Sequence, residues 1–231
     1  MTEPTFTITA REFRDLVTPV IPLAGKDRTL PILNAVRIES VGKYLTASAT
    51  DRFTVGICRH APANKPPKGL AIVIPLPSIR LILSTFKPSR DMDPELEFVV
   101  TAGGKRLKVN QAGGAFDFLD ASITYPLETG QWPALPKVII DRIESEDVPA
   151  TTISLNAAHL AKFQHAVRHG EPLEIKVGCN NKAVLVTVGD HFVGALMPTS
   201  RSSDNESGTS TLAEWVKLFA SASVPAKSKA A

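Results

Sequence analysis

The chain has 231 residues, 43% hydrophobic and 21% charged, an ordinary soluble globular composition with room for one large domain or two small ones. Its net charge of +3 permits nucleic-acid contact without demanding it, because tight phosphate binding needs a concentrated Lys/Arg patch. No apolar run approaches the roughly 20 residues of a membrane span, the opening MTEPTFTITA lacks the basic start and apolar core of a secretory signal, and two cysteines, Cys58 and Cys179, suit buried thiols in a reducing cytoplasm.

In chain order, Phe6 to Thr9 reads as a short strand, and Thr9 with Glu12 forms a capping box that opens a helix. Phe13, Leu16, Val17 and Val20 give that helix one apolar face, and Pro19 and Pro22 limit its length. Three strands are predicted next, over Ile32–Ser40, Tyr44–Thr50 and Phe53–Cys58, each alternating at period two and separated by short Gly- or Asp-containing breaks. The order then repeats. Gly69–Ile74 is a strand, Pro77 to Phe86 a helix, and Glu95–Thr101, Lys105–Gln111 and Ala115–Ser122 three more strands. Tyr125–Lys137 is irregular and carries three prolines, and Val138–Ile143 is expected as a strand. A third copy follows: a strand at Thr152–Leu155, a helix capped by Asn156, and strands at Leu173–Val177, Ala183–Val188 and Phe192–Met197. Such tandem units are an internal repeat of supersecondary structure. Ser200–Ser210 is Ser/Asn/Gly-rich, and Leu212, Trp215, Leu218 and Phe219 recur at helical spacing beyond it.

Three short motifs carry a resemblance: L-P-I-L-N-x-V at Leu30–Val36, A-T-D-R-F at Ala49–Phe53, and L-M-P-T-S-R at Leu196–Arg201. Together, at this spacing, they resemble the bacterial DNA polymerase III beta sliding clamp family, over most of the chain up to Arg201. The resemblance implies an α+β DNA-clamp fold of repeated strand-helix-three-strand units, with helices on one face of antiparallel sheets. It implies a complete clamp-like domain over residues 1–135, a partial one over 136–201, and a linker with an amphipathic segment over 202–231. Residues 138–151 leave no space for the other half of the second domain. The ring-closing assembly of the family is thereby in question, although a homo-oligomer remains the expectation.

The same resemblance implies a non-enzymatic processivity factor with no cofactor and no metal. Its partners would be duplex DNA bound without sequence preference, a DNA polymerase and other proteins carrying the clamp-binding motif, and a clamp loader. It places an apolar peptide-binding cleft at Leu33, Thr50, Arg52, Phe53, Val55, Pro133, Val138, Leu196, Met197 and Pro198. The other reading of these residues is a core joining two sheets. Thr54 stands where the family often has Arg, so the rim of the cleft differs. Basic residues on or beside the helices, namely Arg11, Arg14, Arg80, Lys87, Arg90, Lys162 and Arg168, are the candidates for DNA contact, against the alternative of a solvated helix face. Trp215, Val216, Leu218 and Phe219 resemble the clamp-binding peptide itself without its leading Gln; they dock in a cleft or belong to a helix packed on a sheet. The functional alternative to a clamp is a non-encircling adaptor that keeps the cleft and sequesters clamp partners.

Enzyme readings are weaker. Gly103-Gly104-Lys105 is followed by Arg106 and lacks the earlier Gly of a phosphate loop, so it reads as a turn. His165 and His169 lie four apart with no third ligand in a metal-binding pattern. No G-x-S-x-G occurs, and no Cys pairs with a His as a nucleophile would require.

Overall fold

The computed structural model describes residues 4–27, 29–112, 122–144, 153–177 and 182–199. Residues Met1–Pro198 form one unit and Thr199–Ala231 a second. The described fold belongs to the first. The tail residues Trp215, Val216, Leu218 and Phe219, and the turn holding Cys179, lie outside the described residues.

The first repeat opens with strand β1 (Thr5–Thr9) and helix α1 (Ala10–Val17). The capping box forms: Glu12 N donates to Thr9 Oγ1 at 3.2 Å, and Thr9 N donates to Glu12 Oε2 at 3.0 Å. Two otherwise orphaned amides are thereby satisfied. Phe13, Leu16 and Val17 are buried on the inner face of α1. The meander is β2 (Ala35–Val41), β3 (Tyr44–Thr50) and β4 (Thr54–His60). Strand β2 begins three residues later than the alternation suggests. Pro31 opens a 3-10 turn closed by Asn34 N donating to the Pro31 carbonyl at 3.0 Å, which removes Ile32 and Leu33 from the ladder.

The second repeat is β5 (Ala71–Pro75), α2 (Leu76–Thr85), β6 (Glu95–Thr101), β7 (Arg106–Ala112) and β8 (Ser122–Pro126). Residues 113–121, which hold most of the expected last strand, lie outside the described residues. The described strand runs through Tyr125, expected as irregular, because Tyr125 pairs with Leu107 and is buried.

Val138–Ile143 is not a strand. It belongs to helix α3 (Leu135–Ile143), in which Pro136 occupies the first turn. Leu135, Ile139 and Arg142, at helical spacing, are the buried residues. The third repeat has a short helix α4 (Ala157–Leu160) capped by Asn156 Oδ1, a 3-10 turn over Ala161–Ala166, and strands β9 (Leu173–Lys176), β10 (Val184–Val188) and β11 (Phe192–Leu196). The strand expected over Thr152–Leu155 is absent at Ile153–Leu155, which pair with no described strand.

Among the described residues the strands form two antiparallel sheets, ordered β1-β6-β7-β8 and β5-β2-β3-β4-β11-β10-β9. The first two repeats exchange their opening strands. β1 pairs with β6 of the second repeat, and β5 returns to pair with β2 of the first. Phe6 stacks on Phe98 across the first of these joints, with ring centroids 4.7 Å apart. Helices α1 and α2 and the 3-10 turn of the third repeat cover one face of the sheets, and Phe13, Leu16, Ile79, Ile82, Phe98 and Phe163 are fully buried there.

The third repeat joins differently, edge to edge, through β4 and β11. Gly56 lies opposite Gly194 in that ladder. A Cβ on Gly194 would fall 2.7 Å from the Phe163 ring and 2.7 Å from the Val55 carbonyl; one on Gly56 would fall 2.3 Å from Leu23 Cδ1. The bare backbone at this seam admits Phe163 and Phe192, which meet edge-on at 6.1 Å.

A candidate peptide groove and the basic helix faces

The β3–β4 turn is built by one side chain. Asp51 Oδ1 accepts from Phe53 N, Thr54 N and Thr54 Oγ1, and Thr50 Oγ1 donates to the Thr54 carbonyl at 2.7 Å. Arg52 adopts φ 79°, a left-handed conformation tolerated at a tight turn. The turn pushes Phe53 outward, 53% exposed, onto His159 at the third repeat, with ring centroids 5.2 Å apart. Met197 N donates to the Phe53 carbonyl at 2.9 Å and extends the β4–β11 ladder past Leu196. The other oxygen of Asp51 accepts from Lys162 Nζ. Burial alone would raise the Asp51 carboxyl, but the hydrogen bonds from Lys162 and Thr54 hold it below its ordinary value. The turn is thus tied to both the first and the third repeat.

Helix α3 lies on the sheet face opposite α1 and α2. Leu135 and Ile139 pack there against Val55, Leu185 and Ala195 in a second, small core. The Arg142 guanidinium, 3% exposed, donates to the Ala183 carbonyl at 2.7 Å and to the Lys176 carbonyl at 3.2 Å, pinning the helix to the third repeat. Ile140 and Ile143 remain exposed on its outer side, and Val138 is exposed on the flank facing the Asp51 turn.

Between α3, the Asp51 turn and Met197 runs an apolar groove of about 100 Å³, floored by Val55, Leu135 and Ala195 and walled by Phe53, Val138 and Met197. A wider recess of about 290 Å³ adjoins it across Arg52 and Phe53, lined by Gly25, Leu30 and Leu33 on one side and His159 and Lys162 on the other. Hydrogen bonds from Thr29 to Asp27, at the mouth of the recess, hold that carboxyl below its ordinary value.

Of the ten cleft residues expected from the sequence, Thr50, Arg52, Phe53, Val55, Val138 and Met197 line the groove, and Leu33 lines the recess. Leu196 is buried in the main core, on the opposite side of β11 from Ala195. Pro133 and Pro198 line neither hollow. The groove also uses Thr54, Leu135, Ala183 and Ala195. Alternation along β11 would have turned Ala195, in place of Leu196, toward the groove, and the i, i+4 spacing of Leu135 and Ile139 was the signal for α3.

The basic candidates divide by what they touch. Lys162 is committed to Asp51, and Arg168 donates to the Asp15 carbonyl and to Cys58 Sγ. Arg14 donates to the Leu83 carbonyl, joining α1 to α2, and Arg11 pairs with Asp93 at 3.6 Å. Arg80, Lys87 and Arg90 are exposed, and their side chains make no hydrogen bond or ion pair among the described residues. Burial pushes the Cys58 thiol up to about 12, so it stays protonated and unreactive. No cluster of three or more His, Cys, Asp or Glu that could hold a metal occurs among the described residues, His165 and His169 included. No helix among them is long and apolar enough to cross a membrane.

No protein-family profile matches the chain. The beta sliding clamp of Streptomyces coelicolor is 40% identical over 57 residues, which are 25% of this chain and 15% of that protein. Among solved structures, the DNA polymerase III beta subunit of Thermotoga maritima aligns with a TM-score of 0.69 at 13% identity, over 87% of this chain and 67% of that one. The sliding clamp of Pseudomonas aeruginosa aligns at 0.67 with 12% identity, over 86% and 67%. The Pseudomonas clamp bound to griselimycin aligns at 0.67 with 15% identity, over 85% and 65%. The chain thus spans about two thirds of the length of these solved clamps, and it has their fold.

Proposed function

We propose that this chain, built on the sliding-clamp fold, is a clamp-like processivity factor that works by contact rather than chemistry. It contacts or encircles duplex DNA and takes replication or repair proteins by a short peptide inserted in the groove between α3 and the Asp51 turn. The observation that carries the reading is that groove: apolar, open, and assembled from three distant stretches of one chain. Exposed Phe53, Val138 and Met197 suit aliphatic and aromatic anchors of an extended peptide. Residues 1–135 then act as a complete clamp domain and 136–201 as a partial one.

Arg80, Lys87 and Arg90 are the cations free to meet phosphate; the other four candidates already serve contacts within the fold. A protein that slides needs such a field and no reading of bases.

The test is fluorescence anisotropy with a labelled peptide ending in Leu-Phe. Val138→Asp should weaken binding at least about tenfold, since a charge then faces the apolar wall. Equal affinity for the variant and the parent would remove the groove as the site. If the tail carrying Trp215 and Phe219 docks in such a groove, deleting residues 211–231 raises the peptide's affinity. The second reading, a non-encircling adaptor, is favoured by the absent half-domain. Binding that is lost when a closed circular duplex is linearised supports encirclement; equal retention supports the adaptor.

A further inference from the structure

The first two repeats set a rule that the third leaves unfinished. In each, the strand before the helix leaves its own repeat and pairs with the first meander strand of the other: β1 with β6, and β5 with β2. Aligned on the helix caps Thr9, Pro75 and Asn156, the inward residues of these opening strands are Phe6 and Ile8, then Ile72 and Ile74, then Ile153 and Leu155. The first four are buried, at 2%, 5%, 5% and 0% exposure for Ile8, Phe6, Ile72 and Ile74. Ile153 and Leu155 are only partly buried and belong to no described strand.

The receiving strand shows the same deficit. Phe98 on β6 and Ile38 on β2 are flanked by an exchanged strand and are 0% exposed. Their counterpart on β9 is Ile175. It lies opposite Val186, which belongs to the helix-side core, yet it is 42% exposed. β9 ends its sheet, with no described strand beyond it. Only residues 145–152 separate Glu144 from Ile153, too few to supply a helix and a meander.

We infer that the third repeats of two copies of this chain complete one another. Residues 153–155 of each copy pair antiparallel with β9 of its partner, as β1 pairs with β6 within one chain. The arrangement is isologous: each copy gives one strand and receives one, about a two-fold axis. A second copy is the occupant that the fold itself specifies, because it offers the missing strand and the open edge together. The joint continues the seven-stranded sheet and buries Ile153, Leu155 and Ile175. Two chains then make an arc of complete domain, shared domain and complete domain. The inference stands on the fold alone and survives if the groove binds no peptide.

The first experiment is light scattering on a sizing column across a concentration series of the full chain, with Ile175→Arg beside the parent. The parent should run at twice the chain mass of 24.8 kDa. Ile175→Arg should shift the midpoint of dissociation upward by about tenfold or more, because it sets a charge at the joint. The second experiment keeps the test decisive if Ile175→Arg fails to fold. The registers Thr7↔Glu97 and Val73↔Arg37 predict Ser154 opposite Glu174 of the other copy. Ser154→Cys with Glu174→Cys, in a Cys179→Ser background, should give a covalent dimer on a non-reducing gel. A monomer at every concentration overturns the inference. So does an oligomer indifferent to Ile175→Arg that forms no covalent dimer, and so does a disulfide closed within one chain.

Discussion

The same local grammar is written three times in this chain, and it is finished in two places and open in the third. Ile38 and Phe98 are sealed by strands borrowed from the neighbouring repeat, whereas Ile175 is 42% exposed on the same face of the sheet. The side chains are of similar kind, so the difference lies in who stands next to them. A repeat of this type is half of a domain, and its burial is a property of pairs.

The largest expected effect comes from cutting the sealed side. Phe98→Ala should lower stability by about 3–5 kcal/mol, since it empties a fully enclosed site against Phe6 and Phe13. Ile175→Ala in dilute protein should cost well under half of that, and the gap should narrow as concentration rises if the edge is filled by a second copy. Urea denaturation at two concentrations measures both. An equal loss for the two variants at high dilution would erase the contrast.

The second effect concerns the seam by which the open repeat is held. Gly194→Val should destabilise by about 1–3 kcal/mol or more, because the new side chain meets the Val55 carbonyl, which cannot rotate away. Thermal melts of Gly194→Val and of Gly42→Ala, a turn glycine with φ 62° and nothing within 4 Å of an added Cβ, separate crowding from loss of a flexible turn.

The third acts at the tie between the two regions. Asp51→Asn should cost about 1–3 kcal/mol through the weakened turn and lost pairing with Lys162. The pH dependence has a definite sign. The folded Asp51 carboxyl lies below its ordinary value, so its stabilisation is complete above pH ~4 and is lost as pH falls through the folded value. Denaturation curves of the parent and Asp51→Asn should therefore converge in acid and separate toward neutrality. The smallest effect is at the caps: Thr9→Ala should cost about 1 kcal/mol by removing the capping box, and Asn156→Ala no more, since its helix is shorter.

Much of the local architecture was legible because it is written locally. The Thr9–Glu12 box, the alternating runs from Tyr44 to Thr50 and from Glu95 to Thr101, and the Asn156 cap all appear where period and cap chemistry put them. Helix α3 was hidden by its prolines and by Val138, Ile140 and Ile143, whose exposed apolar side chains mimic a buried strand. Strand exchange could not be read at all: β1 reaches β6 across the whole first meander, and nothing in TFTIT names its partner. The groove was half legible for the same reason. Its turn is a local motif, while its second wall depends on a helix that the sequence disguised.

The β4–β11 seam also sets an order of events during synthesis. β4 ends at His60 and β11 begins at Phe192. At ~5–20 residues per second, the ribosome needs roughly ten seconds to make the stretch between them. Throughout that interval β4 is a bare sheet edge, next to a nascent core that can already assemble from the repeats before it. The paired glycines at 56 and 194 leave that waiting edge smooth and thinly covered, which makes it the place where a stalled or crowded chain would meet its neighbour.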